Sequence, residues 1–127
     1  MTWNKRTRYF NTPKAMVYNK TYDSKFEAQY AMLLEQAIKD KQIEGFESHV
    51  RIPLVVNGYT VCDYYVDFAV FHKGGLTEYI ECKGYPTDVF KLKWKLFCAL
   101  FEDDENIKIT LEMQGKQKPP KLRKSKF

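Results

Sequence analysis

Long hydrophobic stretches are missing from this 127-residue chain. The longest unbroken apolar run covers residues 96–101, far short of the roughly 20 residues that span a bilayer. The opening Met1-Thr2-Trp3-Asn4-Lys5-Arg6 offers no apolar segment to act as a signal peptide. A cytoplasmic protein with no membrane partner is the expectation. Cysteine is scarce: Cys62, Cys82 and Cys98 form no close metal-ligand pair, and three thiols cannot all be bridged within one chain. Reduced thiols in a cytosolic compartment follow. The two histidines, His49 and His72, stand far apart with no third nitrogen or sulfur ligand nearby. Neither a zinc site nor a histidine general base is expected from them. No internal repeat is present.

Acidic residues are absent from both ends. Residues 1–20 carry five Lys or Arg and no acid; residues 116–127 carry six and again no acid. The middle, 21–115, holds ten basic against sixteen acidic residues, a net of −6 inside a chain of net +5. An acidic body therefore wears two basic arms, which either attract a polyanion such as a nucleic-acid backbone or serve solubility alone. Trp3, Tyr9, Phe10 and Tyr18 in the first arm either stack on bases or pin the arm to the domain.

What is present between the arms reads as one globular domain, its core drawn from a chain that is 44% hydrophobic. Asp23-Ser24 opens a helix whose Phe26, Tyr30, Leu33, Leu34, Ala37 and Ile38 recur at helical spacing; Gly45 is expected to close the segment. Strands are expected over 46–56, 59–71 and 76–83. Pro53 places the first at an edge or a bulge. Asn57-Gly58 forms a tight hairpin turn, and Lys73-Gly74-Gly75 makes the second reversal. The short connections make an antiparallel meander. After the break at Gly84-Tyr85-Pro86, Thr87 or Asp88 caps a second helix over 89–102. Phe90, Trp94, Phe97 and Phe101 give its apolar face; Leu92, Leu96, Ala99 and Leu100 widen that face, so most of this helix is expected to be buried. A last strand over 107–113, reached through a helical crossover, should lie parallel to its neighbour. The order is αβββαβ, a mixed sheet flanked by helices, in three parts: an arm (1–20), a folded domain (21–115) and a basic tail (116–127).

Charge sits where strands normally exclude it. Glu81 and Lys83 end the run Thr77-Glu78-Tyr79-Ile80-Glu81-Cys82-Lys83, and strand alternation sends both to one side. Asp67 stands among apolar and aromatic neighbours in the preceding strand. Strands lie about 5 Å apart, so the two carboxylates reach one divalent cation, and Lys83 points at the same place. Such a trio is either a polar outer face, with Glu81 and Lys83 as an exposed ion pair, or a metal site; the metal site, and so an enzyme, is the expectation. Cys82 alternates away from its neighbours and reads as a core hydrophobe. Asp63, on the same alternation as Asp67, is a possible auxiliary acid but reads better as a solvent-facing strand residue. Lys91 and Lys95, four apart on the second helix, either approach a phosphate or form its solvated face. The run Glu102-Asp103-Asp104-Glu105 reads as a solvated loop.

Asp67 followed by Glu81-Cys82-Lys83, within this order of elements, resembles the PD-(D/E)XK nuclease superfamily, most of all its small phage-encoded members and, more distantly, the archaeal-type Holliday junction resolvases. Residues 22–113 can be laid on that plan; the proline that names the first half-motif is replaced by Val66. Glu27 matches a glutamate that many members carry on the first helix, although Ser24 three residues before it also makes a capping box. The resemblance implies a restriction-endonuclease-like core and a Mg²⁺- or Mn²⁺-dependent DNA endonuclease acting on branched DNA. Metal would be held by Glu27, Asp67, Glu81 and the Cys82 carbonyl, with Lys83 as the catalytic lysine. DNA would be met by Lys5, Arg6, Arg8, Lys25, Lys91, Lys95, Lys121, Arg123 and Lys124. A homodimer follows from resemblance to resolvases, and a host-cell cytoplasm from a phage origin. The competing expectation is a non-catalytic nucleic-acid-binding module on the same fold.

Overall fold

A computed structural model of the chain describes residues 15–17, 20–22, 24–83, 86–113 and 120–125. Lys5, Arg6, Arg8, the four arm aromatics and Gly84-Tyr85 lie outside the described residues. The first described elements are two short strands, β1 (Ala15–Val17) and β2 (Lys20–Tyr22), paired antiparallel. Residues 1–20 showed no period, and this hairpin is not legible in them.

Helix α1 (Lys25–Lys39) is capped by Ser24. It rests on small residues: Ala28, Ala31 and Leu34 are buried, whereas Leu33 is 65% exposed. Leu33 was expected on the inner face. It lies two residues, about 200° of helix, beyond Ala31 and so faces away. Nor does Gly45 stop the helix. The Gln42 amide bonds the Ala37 carbonyl and the Lys41 amide that of Ile38, with Lys41 at φ 59. This pair of bonds is a Schellman stop built on a lysine.

Gly45 instead begins β3 (Gly45–Val56), which pairs antiparallel with β4 (Tyr59–Phe71), and β4 with β5 (Thr77–Lys83). Asn57 and Gly58 both have positive φ, as a two-residue hairpin turn of right-twisted strands requires. Helix α2 (Asp88–Phe101), capped by Thr87, carries the chain over to β6 (Ile107–Met113), parallel to β5. The sheet order is β3-β4-β5-β6, a meander with one parallel pair added, in an α/β fold. Its helices cover opposite faces. Against α1 pack Phe68, Val70, Ile80 and Cys82; against α2 pack Ile52, Leu54, Tyr64, Val66 and Tyr79.

Residues of equal parity share one face of a regular strand. In β4 they do not: Tyr64 and Val66 face α2, but Phe68 and Val70 face α1. The same exchange occurs in β3 between Phe46 and Val50. Both strands therefore change phase at His49 and Asp67. The outer face of α2 also departs from expectation. Leu92 and Leu100 are exposed, and Leu92, with Lys95, Leu96 and Ala99, borders a groove beside Lys121, Leu122 and Arg123 of the tail segment. Only the aromatic stripe Phe90, Trp94 and Phe97 is buried on this helix, because one helix on one sheet face needs a stripe little wider than 100°.

Candidate functional site

The β4–β5 ladder runs from Phe71↔Thr77 to Phe68↔Ile80 and stops. The next positions in that register are Asp67 and Glu81. Beyond them β5 stays with β6 as far as Lys83↔Met113, while β4 follows β3. The sheet thus forks at Asp67. A side chain replaces the missing backbone bond: the Cys82 amide donates to Asp67 Oδ2 at 2.8 Å, and both residues are buried.

Glu81 and Lys83 share a side, as alternation requires, with Lys83 Nζ 3.6 Å from Glu81 Oε2. The Tyr64 hydroxyl donates to Glu81 Oε1 at 2.8 Å. Lys83 Nζ also lies 4.4 Å from the centroid of the Phe90 ring. A cation over an aromatic face is attracted to it and loses rotational freedom. Glu81 is 1% exposed and Lys83 9%, so the ammonium is held rather than swinging in solvent.

On the other side of the fork, Glu27 reaches down from α1. The Ser24 hydroxyl accepts from the Glu27 backbone amide at 3.2 Å, so capping engages the backbone and the side chain itself is buried. One donor atom each from Glu27, His49 and Asp67 lies within 4.8 Å of the other two. Glu81 is not part of that group. The four expected residues thus fall into two sets, Glu27 with Asp67 and Glu81 with Lys83, joined through Cys82.

His49 is the residue that sequence reasoning missed. Extending the register of the Asn57-Gly58 turn, Val56↔Tyr59, places His49 opposite Val66. A shift between Leu54 and Val55 moves the ladder by one residue, and His49 comes to stand opposite Asp67, between the pairs Ser48↔Phe68 and Val50↔Val66. Pro53 signalled an edge or a bulge; nothing local signalled its consequence for His49.

Burial, then the charges of Asp67, Glu27 and Glu81, push the Cys82 thiol far above its ordinary range. It is a core group and no nucleophile. Asp63 pairs with Arg51 at 3.3 Å on the strand surface, as expected of a solvent-facing residue. His72 meets Glu78 at 2.7 Å, and the Thr110 hydroxyl donates to the same carboxylate. That network is away from the fork and explains the burial of Glu78. Lys25, Lys91, Lys95, Lys121, Arg123 and Lys124 are all exposed. The acids at 102–105 are exposed as well. No helix among the described residues is long and apolar enough to cross a membrane.

Residues 6–115 match a family described as "Protein of unknown function (DUF1064)". No curated protein and no solved structure matches the chain.

Proposed function

We propose that this chain, which belongs to the DUF1064 family, is a divalent-cation-dependent DNA endonuclease of the PD-(D/E)XK kind. One observation carries the reading. Five charged side chains are buried among the described residues, Glu27, Asp67, Glu78, Glu81 and Lys83. Four of them are the acid, acid, acid and lysine of the motif. The fifth, Glu78, is accounted for by His72 and Thr110. Burying charge costs several kcal/mol per ion unless it is paired or meets a metal, and a fold does not concentrate that cost at a sheet fork without a use for it.

The donor set fits Mg²⁺ or Mn²⁺: carboxylates on rigid elements, to which the superfamily pattern adds Glu81 and the Cys82 carbonyl. When bound, such an ion neutralises phosphate charge and makes water a better nucleophile. The chain's own groups do the rest. Lys83, fixed between Glu81 and Phe90, orients the attacking water and stabilises the negative charge that builds on the phosphate oxygens. Water adds to phosphorus, the bond to the leaving oxygen breaks, and two DNA ends result. Asp67 is aimed by the Cys82 amide and Glu81 by Tyr64, so the site is organised before substrate arrives. Exposed Lys25, Lys91, Lys95, Lys121, Arg123 and Lys124, with Lys5, Arg6 and Arg8 of the arm, are assigned to the DNA backbone. Branched DNA, cut by a symmetric dimer in the cytoplasm of a phage-infected host, is the substrate and setting we assign.

The test is cleavage of four-way junction, flap, duplex and single-stranded DNA with Mg²⁺, Mn²⁺ or EDTA, for wild type and Lys83→Ala. Metal-dependent cutting should fall roughly 10²–10³-fold in the variant with DNA affinity kept. If both proteins were equally inert on every substrate while binding DNA tightly, a non-catalytic binding module would be the better description.

A further inference from the structure

We infer that His49 is a nitrogen ligand of the cation site, and that the site therefore prefers a first-row transition divalent ion over Mg²⁺. This rests on the cation-binding part of the reading above and not on phosphodiester hydrolysis.

Three observations lead there. His49 occupies a strand yet has φ 55, in the left-handed region that few non-glycine residues enter and that is foreign to a regular strand. The flanking pairs Ser48↔Phe68 and Val50↔Val66 set His49 directly across from Asp67. The left-handed residue thus sits at the point where both strands change phase, across from the most deeply buried acid of the site. Its Nδ1 is withdrawn from solvent, as are Glu27 Oε2 and Asp67 Oδ1.

Convergence follows from that placement. The three donor atoms come from α1, β3 and β4, and they lie within 4.8 Å of one another. Two ligands of one ion, each bonded at about 2.1 Å, are at most about 4.2 Å apart. Small side-chain rotations close the difference. Glu27 and Asp67 alone would make an oxygen site open to any hard cation. Mg²⁺ takes oxygen ligands and holds its waters strongly; an imidazole nitrogen shifts preference toward transition ions. Two carboxylates and one imidazole leave further positions for water and a phosphate oxygen.

The experiment titrates the full chain with Mn²⁺, following the electron paramagnetic resonance of the free ion, with Mg²⁺ as competitor. Wild type, His49→Asn, His49→Gln and Asp67→Asn are compared, each with its circular-dichroism melt. Asparagine enters the left-handed region readily, so His49→Asn should melt no lower than wild type and separates loss of a ligand from loss of fold. Wild type should bind Mn²⁺ at least tenfold more tightly than Mg²⁺. His49→Asn and His49→Gln should lose roughly tenfold or more in Mn²⁺ affinity, a scale that even outer-shell partners reach, with Mg²⁺ affinity changed far less. Asp67→Asn should lose both ions. Unchanged Mn²⁺ affinity in folded His49→Asn would overturn the assignment, as would a wild type with no preference between the two ions, or Mn²⁺ retained in Asp67→Asn. The same samples are given four-way junction DNA. Histidine-dependent Mn²⁺ binding without cleavage would support His49 as a ligand and count against the nuclease reading alone.

Discussion

Glu81 and Lys83 differ from an ordinary surface ion pair in what surrounds them. Exposed pairs at this separation contribute little to stability. Here the carboxylate takes a second bond from Tyr64, and the ammonium rests on Phe90, itself stacked on Trp94. Tyr64 has two separable roles. Its ring packs against Phe97 and Trp94 at 5.0 and 6.3 Å between centroids, and its hydroxyl holds Glu81. Tyr64→Phe keeps the first and removes the second. A hydrogen bond to a charged partner is worth about 1.5–3 kcal/mol, so urea denaturation should show a stability loss of that order. Cleavage should fall because Glu81 is no longer aimed, and DNA affinity should hold. A variant as stable and as active as wild type would mean that the hydroxyl does not position Glu81. The motif residues were legible in the sequence because charge on an apolar strand is conspicuous. Tyr64 was not, since an aromatic in a strand is ordinary and its partner is seventeen positions away.

At the scale of elements, period and turn chemistry located every strand of the main sheet and both helices. Asn57-Gly58 defined one hairpin, and apolar runs of the right length did the rest. Failures came where a local rule was satisfied by an unusual residue or broken by a distant one. Lys41 terminates α1 in a conformation glycine would adopt more easily, so Gly45, which begins a strand, looked like the helix stop. A left-handed conformation costs a non-glycine residue about 1–2 kcal/mol, and glycine gives back roughly 0.5–1 kcal/mol of that through its freer unfolded chain. Lys41→Gly should therefore stabilise the protein by about 0.5–1 kcal/mol, read as a higher urea midpoint at unchanged slope. The side chain is exposed and lies beyond the last turn of α1, whereas Glu27 is in the first, so cation binding and cleavage should not move. The contrast with His49 is instructive. It has nearly the same φ, but there the conformation places an imidazole against two acids. Strain kept at such a position is understandable where the side chain is used. The phase change of β3 and β4 was invisible in the sequence, because apolar residues occupy even positions on both sides of Asp67 and the pattern reads as one unbroken face.

For the whole molecule, charge distribution ties the fold to its proposed substrate. The body is net negative and places its acids both at the fork and in the exposed run 102–105, so DNA has little reason to approach it unaided. On the proposed reading, the basic ends supplement the exposed lysines of the body in supplying the attraction. Three residues of the C-terminal end, Lys121, Arg123 and Lys124, are exposed, and Lys121 and Arg123 border the groove along α2 together with Lys95. The tail segment thus sets its charge beside Lys95 of α2, and on the proposed reading the two act on DNA together. Each phosphate neutralised on duplex DNA contributes about −0.9 to the slope of log K against log salt concentration. Replacing Lys121, Arg123 and Lys124 together by alanine should flatten that slope by as much as about 2.7, with affinity lost mainly at low salt. Because the groove they border is lined by neither Glu81 nor Lys83, the cleavage rate at saturating DNA should stay at the wild-type value. The measurement is a fluorescence-anisotropy titration across several salt concentrations, paired with single-turnover cleavage. A slope unchanged in the triple variant would show that these cations face water and that attraction comes from the N-terminal arm and the helix lysines. A fallen single-turnover rate would instead place the tail against the scissile strand.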